Sequence, residues 1–322
     1  MRRRSRLIAA GLGLGAAGAL AAAACALLAE RHYLFDIVAQ FAAPALTGAC
    51  VGAVLSAAAL RPRIAAAWLV AIAGLLVAMQ PQLRPFPPGA GPATRVYFNN
   101  VYVMNPRPAQ LAASIEDADA DVVALVEVGP RHERAAAAVL ARYPHRLSAV
   151  TGAFQGKTPR ILFASRAPLR VLANERRDGL AVTEVEVTAA SGPFRLIAVH
   201  LTRPWPFDDP RAQDRQAARL ARRVMAGDVG RTVLVGDFNA VPAGAVLRRF
   251  SRETGLRPLA APTGTWPAWV PPGFRVGIDN ALAGPALSLS DRRVGAVTGS
   301  DHRAIVFEVR RAAALPERRL AP

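Results

Sequence analysis

From residue 7 to residue 29 the chain runs 23 positions without a charge, and further apolar stretches follow at 35–60 and 64–79. About 20 apolar residues suffice for a helix to cross the roughly 30 Å hydrocarbon core of a bilayer. The first stretch meets that length, the second carries Asp36 and Gln40 near its start, and the third has only 16 residues. Alanine and glycine recur through all three, which permits close helix packing in lipid. Arg2, Arg3, Arg4 and Arg6 precede the first stretch, and Arg61 and Arg63 separate the second from the third. The remaining loop holds Arg31 beside Glu30. Basic flanks stay on the cytoplasmic side. The expectation is a transmembrane region over 1–79, about three helices in the inner (cytoplasmic) membrane, with everything after Gln80 on the periplasmic or extracellular side. The first stretch alone also has the form of a signal peptide. Two more apolar stretches directly behind it favour a multi-pass anchor.

Residues 80–93 hold five prolines. Proline fixes φ and removes a donor, so this run reads as an extended linker between the helices and a domain at 94–310. The Ala/Arg/Pro tail at 311–322 is expected to be disordered. The formal net charge is +17; residues 1–92 hold eight Arg and two acids, a net of +6, which leaves +11 on 93–322. A basic domain suits a polyanionic substrate or an anionic surface. Lys157 is the sole lysine, so a coding preference for arginine would produce the same charge. Both cysteines, Cys25 and Cys50, lie in the apolar third. A disulfide framework or thiolate metal site is therefore excluded from 94–310.

Within that domain, apolar runs bounded by turn residues predict strands over 95–101, 122–127, 160–165, 181–187, 194–201, 232–237, 278–282 and 304–309. Helical periodicity predicts helices over 109–118, 131–141, 212–226 and 243–254. Several strands are consecutive, so the pattern is a mixed-sheet sandwich with helices outside rather than a regular βαβ repeat.

Polar residues gather at the predicted strand ends: Asn100, Glu127, His200, Asp237 and Asp279. A glutamate ending a buried strand is costly unless paired or bound to a cation. Mg2+ prefers oxygen ligands and keeps several waters, so one or two carboxylates can hold it. Asp237 and Asn239 stand two apart in Gly236-Asp237-Phe238-Asn239, a spacing that points both side chains the same way from an extended segment. Asp301 and His302 follow Gly299-Ser300. A histidine works as acid or base near neutral pH when a carboxylate orients it, and Asp279 is the natural partner for His302. His200 ends an apolar strand, where it could contact a phosphate or act as a tether.

In order, Asn100, the strand ending at Glu127, Val199-His200-Leu201, Gly236-Asp237-Phe238-Asn239, Ile278-Asp279 and Ser300-Asp301-His302 resemble the endonuclease/exonuclease/phosphatase family, the deoxyribonuclease-I-like fold. The resemblance covers about 94–310. It implies a four-layer α/β sandwich and a metal-dependent hydrolase acting on phosphate ester bonds, with Mg2+ (or Mn2+) as cofactor. By position it makes Glu127 the principal metal ligand, with Asn100 and Asp301 close to the metal or phosphate. It assigns the attacking water and the phosphate to Asp237 and Asn239, gives His302 its orientation from Asp279, and puts His200 on the phosphoryl group. Asn280 departs from the His or Tyr common after the family's "ID" aspartate. Asn100 with Asn105 and a helix soon after looks most like bacterial membrane-anchored members. The implied function is a membrane-anchored phosphodiesterase or endonuclease. Lipid headgroups or small phosphate esters are the alternative substrates, and a non-catalytic binding module is a third reading. The implied partners are the phosphate-ester substrate, with nucleic acid as one option, and the membrane through the N-terminal helices.

Overall fold

The computed structural model describes residues 2–152, 156–177 and 179–313. The apolar N-terminal region forms α1 (Arg2–Leu27), α2 (Tyr33–Ala39), α3 (Ala42–Ala58) and α4 (Pro62–Ala78). Small residues let three of these helices close on one large side chain. A Cβ at Gly52 would lie 2.4 Å from the Trp68 indole, and one at Gly15 2.9 Å from it. The outward faces stay apolar and exposed, as at Leu14, Val54, Val70 and Val77.

The second apolar stretch is expected as one helix and is instead a bent pair, α2 and α3, 58° apart. Pro44 explains the break: in a continuous helix its ring would clash with the Gln40 carbonyl, four residues back. In the first turn of α3 the missing N–H costs little. Among the described residues, one helix alone, Arg3–Leu27, is long and apolar enough to cross a membrane. The pair α2 and α3 passes that test only if taken as a single bent segment, and α4 is shorter.

The proline-rich run does not stand off as a spacer. Gln80–Leu83 forms a short helix, α5, and β1 (Gly89–Asn100) begins inside the run. Between them the chain lies on the domain: Ala261 donates its N–H to the Gln82 carbonyl at 2.7 Å, and Arg257 donates to the Pro85 carbonyl at 3.0 Å. Proline at these positions forfeits only donors that a sheet edge leaves unused.

From β1 the chain continues through α6 (Ala109–Ala118), β2 (Val122–Val128), α7 (Pro130–Leu140), β3 (His145–Val150), β4 (Arg160–Ser165), β5 (Leu169–Arg177), β6 (Leu180–Ala189) and β7 (Gly192–His200). It ends with α8 (Ala212–Met225), β8 (Thr232–Asp237), α9 (Ala245–Thr254), β9 (Arg257–Pro258), β10 (Asp279–Ala283), β11 (Leu287–Val294) and β12 (Ile305–Ala312). Two mixed six-stranded sheets result, ordered β11-β12-β1-β2-β4-β3 and β5-β6-β7-β8-β10-β9. Alternation along each strand decides what each face meets. Val96, Phe98, Val122 and Ala124 face Leu196, Ala198, Val233 and Val235 between the sheets. Tyr97, Val123 and Leu125 face α6 and α7, while Ile197, Val199 and Leu234 face α8 and α9. The domain is therefore an α/β sandwich with helices outside both sheets. The final strand runs to Ala312, so 311–313 are ordered in the sheet or beside it, and 314–322 of the expected tail lie outside the described residues.

Four strands have no counterpart in the sequence reading: β3, β5, β9 and β11. Each is a sheet-edge strand. Edge strands are partly solvated and carry charges, as in Arg-Arg at 176–177 and Asp-Arg-Arg at 291–293, so they lack the apolar run that marks an interior strand.

The helices dock directly on the sandwich. Asp36 Oδ1 accepts the Ala245 N–H at 2.7 Å, at the first turn of α9, and Gln40 Oε1 accepts the Val241 N–H at 2.9 Å. Thr47 donates to the Gly273 carbonyl at 2.6 Å, and Arg248 donates to the Ala78 carbonyl at 2.7 Å. Both polar residues of the apolar α2 segment thus leave the helix bundle to satisfy backbone donors of the sandwich. Asp36→Ala should remove the acceptor at the start of α9, at a cost of about 1 kcal/mol. The expected readout is faster amide hydrogen exchange at residues 241–248 and unchanged protection elsewhere; unaltered exchange there would exclude a role for this bond in docking.

Candidate active site

The two parallel strand pairs bring four chain ends to one side of the sandwich. Asn100 lies beside Val126 at the end of β1 and β2, and His200 lies opposite Asp237 at the end of β7 and β8. The antiparallel pair β8 and β10 sets Asp237 opposite Asp279. The loop before β12 delivers Asp301 and His302. Two motif glycines permit this approach. A Cβ at Gly236 would meet the Val199 carbonyl oxygen at 2.4 Å, and Gly299 has φ of 79° with Asn105 and Arg107 against it.

Glu127 breaks the alternation of its strand. Its φ is 57°, and the β2–β4 register shifts between Leu125 and Val128. A left-handed conformation is unfavourable for a residue with a Cβ, so the bulge turns the carboxylate toward the site at the cost of local strain. Asn239 is likewise left-handed, with φ of 47°. Its N–H donates to Asp237 Oδ1 at 2.8 Å, and its amide donates to the Leu201 carbonyl at 2.9 Å. Gln213 of α8 holds the carbonyls of Phe238 and Asn239 at 2.9 and 3.0 Å.

Asn100 presents its NH2 to both carboxylates, at 2.8 Å from Glu127 Oε1 and 3.0 Å from Asp237 Oδ2. Its oxygen accepts the Tyr102 N–H at 2.9 Å, which fixes the orientation. Glu127 Oε2 also accepts the Val103 N–H. His200 Nε2 stands 3.6 Å from both Glu127 and Asp237. His302 Nδ1 is 2.8 Å from Asp279 Oδ2, and its Nε2 is 3.7 Å from Asp237 Oδ2. Thr265 donates to the same Asp279 oxygen. Asp301 turns the other way and accepts from Trp266 Nε1 at 3.3 Å. Ser300 donates to the Asn100 carbonyl at 2.7 Å and accepts the His302 N–H at 3.0 Å, joining the last loop to the first strand.

Two groups of ligand-type side chains lie within 4.8 Å, Glu127–His200–Asp237 and Asp237–Asp279–His302, with Asp237 in both. Asp301 is in neither group, and the Asn100 amide donates to Glu127 and Asp237 beside them. Among the described residues no Arg or Lys pairs with Glu127 or Asp237. Adjacent buried carboxylates repel each other unless a cation compensates them, and the donors are mostly hard oxygens, the set that Mg2+-like ions take. Glu127, Asp237 and His200 therefore fit a divalent cation.

Burial opposes the charge of Glu127, but His200, the Asn100 amide and the Val103 N–H outweigh it and hold its carboxyl below the ordinary value. Burial dominates at Asp237 and raises it, with Asp279 adding repulsion, despite the pull of His302 and His200. Burial also works against a charged His302, yet Asp279 and Asp237 overcome it and push the ring up to about 10. In the metal-free protein His302 is thus a cation at neutral pH, held between two carboxylates.

The sequence pattern described as the endonuclease/exonuclease/phosphatase family matches residues 100–302, from the Asn100 that bridges the carboxylates to the His302 that pairs with Asp279. The chain belongs to that family. No curated protein matches it in sequence. Solved structures share the fold. An endonuclease/exonuclease/phosphatase from Beutenbergia cavernae DSM 12333 is 21% identical over 69% of this chain and 72% of its own, with a TM-score of 0.55. The human Nocturnin catalytic domain with bound sulfate is 15% identical over 70% and 99%, with a TM-score of 0.54. The endonuclease domain of TRAS1, a telomere-specific non-LTR retrotransposon, is 16% identical over 69% and 100%, with a TM-score of 0.52. As a member of the family this chain is a metal-dependent hydrolase acting on phosphate ester bonds.

Gln213 escapes sequence reasoning, and so do the bonds of Thr265 to Asp279 and of Ser300, itself part of the Ser300-Asp301-His302 motif, to Asn100, because these contacts are long-range. Asn280, the departure after the "ID" aspartate, binds the carbonyls of Ala240 at 3.1 Å and Gly277 at 2.9 Å and so packs the loop behind the site. Asp279→Asn should remove the carboxylate that acts most strongly on His302. In NMR titration of the metal-free protein the ring should then titrate well below 10, toward its ordinary range near 6.5. An unmoved titration would mean that another group sets its charge.

Proposed function

We propose that the protein is a membrane-anchored phosphodiesterase that depends on Mg2+ or Mn2+ and transfers the phosphoryl group to water. The observation that carries this reading is the sharing of Asp237 between a carboxylate-rich cation site and a histidine–aspartate pair. When bound, the cation polarises a phosphoryl oxygen and stabilises the developing charge. Glu127 would hold it, with Asp237 and His200 adjacent and Asn100 keeping the two carboxylates in place. Asn239 donates toward the phosphate or the water. Asp237, raised by burial, is the group most able to receive a proton from the water. His302, kept charged and oriented by Asp279, stabilises the pentavalent transition state and donates to the leaving oxygen. Asp301 acts at one remove, through Trp266 and the loop that carries His302.

The anchor in this reading is the helical region 1–79, with α1, α3 and α4 crossing and the catalytic unit on the periplasmic or extracellular side. Support comes from the ends of the helices. Arg61 hydrogen-bonds Ser5, so the basic flanks of α1, α3 and α4 share one end. Ala26, Asp36, Thr47 and Ala78 mark the opposite end, where the sandwich docks. At 17 residues each, α3 and α4 are about 26 Å long, a little under the hydrocarbon thickness. An endonuclease version has the basic net charge in its favour.

Purified full-length protein in detergent should hydrolyse bis-p-nitrophenyl phosphate with Mg2+ or Mn2+, prefer it to the monoester, and stop in EDTA. His302→Ala should lower kcat by about 10²–10⁴. Preference for the monoester would replace the diesterase by a phosphatase, and turnover insensitive to EDTA and to His302→Ala would overturn the reading.

A further inference from the structure

The active-site mouth is built partly from two loops that also touch the helical region. The first follows His200 and carries Trp205 and Phe207. The second, between β9 and β10, carries Thr265 and Trp266, which bind Asp279 and Asp301, and then Trp269 and Phe274. Both loops leave large aromatic side chains in the open: Phe207 is 68% exposed, Trp269 74% and Phe274 45%. Exposed apolar side chains mark an interaction site when they form a patch rimmed by polar residues.

Their position says what covers them. Trp205 packs edge-on against Tyr33 at the start of α2, with ring centres 5.6 Å apart. Phe274 follows Gly273, whose carbonyl is bound by Thr47 of α3. Trp266 packs with Val276 and Ile278 on the apolar cluster that continues into α1, α3 and α4. The rim therefore sits at the end of the bundle where the sandwich docks. Arg203 lies over the Phe207 ring, with its guanidinium carbon 5.1 Å from the ring centre. Aromatic rings flanked by arginine at the end of apolar helices are the pattern of side chains at a bilayer's headgroup level.

We propose that the 203–207 and 266–274 rim rests in the membrane interface, and that the substrate is a phosphodiester carried on a membrane lipid. This rests on the hydrolase and anchor readings above and adds the substrate class. In the reaction the water oxygen bonds to phosphorus, the bond from phosphorus to one ester oxygen breaks, and a proton moves from the water to the departing alkoxide. An alcohol and a phosphate monoester result, one of which stays in the bilayer.

The test uses full-length protein in vesicles of phosphatidylethanolamine, phosphatidylglycerol and cardiolipin with Mn2+. Products are read by phosphorus NMR and mass spectrometry, beside bis-p-nitrophenyl phosphate and a single-stranded oligonucleotide. Wild type should release a phosphate monoester or a free alcohol from the vesicles. The double variant Phe207→Ser/Trp269→Ser should lose about tenfold or more of that rate, because two apolar anchors are removed, while bis-p-nitrophenyl phosphate turnover stays within about twofold. In parallel, brominated lipid should quench a fluorescence component that Trp269→Phe abolishes. Oligonucleotide cleavage with intact vesicles, equal lipid turnover by the double variant, or no quenching at Trp269 would each overturn the proposal while leaving the hydrolase standing. Loss of bis-p-nitrophenyl phosphate turnover in wild type would overturn the hydrolase reading itself.

Discussion

Three carboxylates, Glu127, Asp237 and Asp279, are drawn from three strand ends into one largely buried space, and the rest of the site answers that concentration of negative charge. Asn100 binds two of them through one amide, His302 stands between two, and His200 faces two. Without an added cation the balance is met by forcing a proton onto His302 and raising Asp237. A site poised in this way favours a cation, because a cation relieves a repulsion already present in the fold.

Holding those groups in place requires stiff supports. The parallel pairs β1/β2 and β7/β8 set the depth of Asn100 and Asp237, and close backbone contact at Gly236 leaves no room for adjustment. Strain at Glu127 and Asn239 is tolerated because hydrogen bonds from three separate elements surround it. The loop after Asn239 is pinned from outside by Gln40 and Asp36, so the helical region contributes to the rigidity of the catalytic edge.

The sequence was most legible where a pattern is local. Every interior strand of both sheets was apparent from an apolar run, and every edge strand escaped, because solvation of the edge removes the hydrophobic signal. The site residues were legible as polar endings of those runs, Glu127 and Asp237 above all. Their partners were not: Thr265 reaches Asp279, and Ser300 reaches across 200 positions to Asn100. The five prolines of residues 80–93 read as an extended linker. They did not indicate that the segment would be folded against a sheet edge, since surface docking needs acceptors supplied by Gln82, Pro85 and Pro87 rather than apolar side chains.

By itself the sequence determined an apolar N-terminal region with one strong candidate span, an α/β sandwich, a family, and the residue types of a phosphate-ester hydrolase. These follow from periodicity, composition and short ordered motifs, all of which act over a few residues. The tertiary structure decided that Asn100 serves as donor to the carboxylates, that Asp301 turns to Trp266, and that the broken α2–α3 segment clasps the loop behind Asp237. It also decided that an exposed aromatic rim sits beside the mouth. Such relations join groups as much as 209 positions apart, and only the closing of the two sheets and the docking of the helices brings them within hydrogen-bond reach.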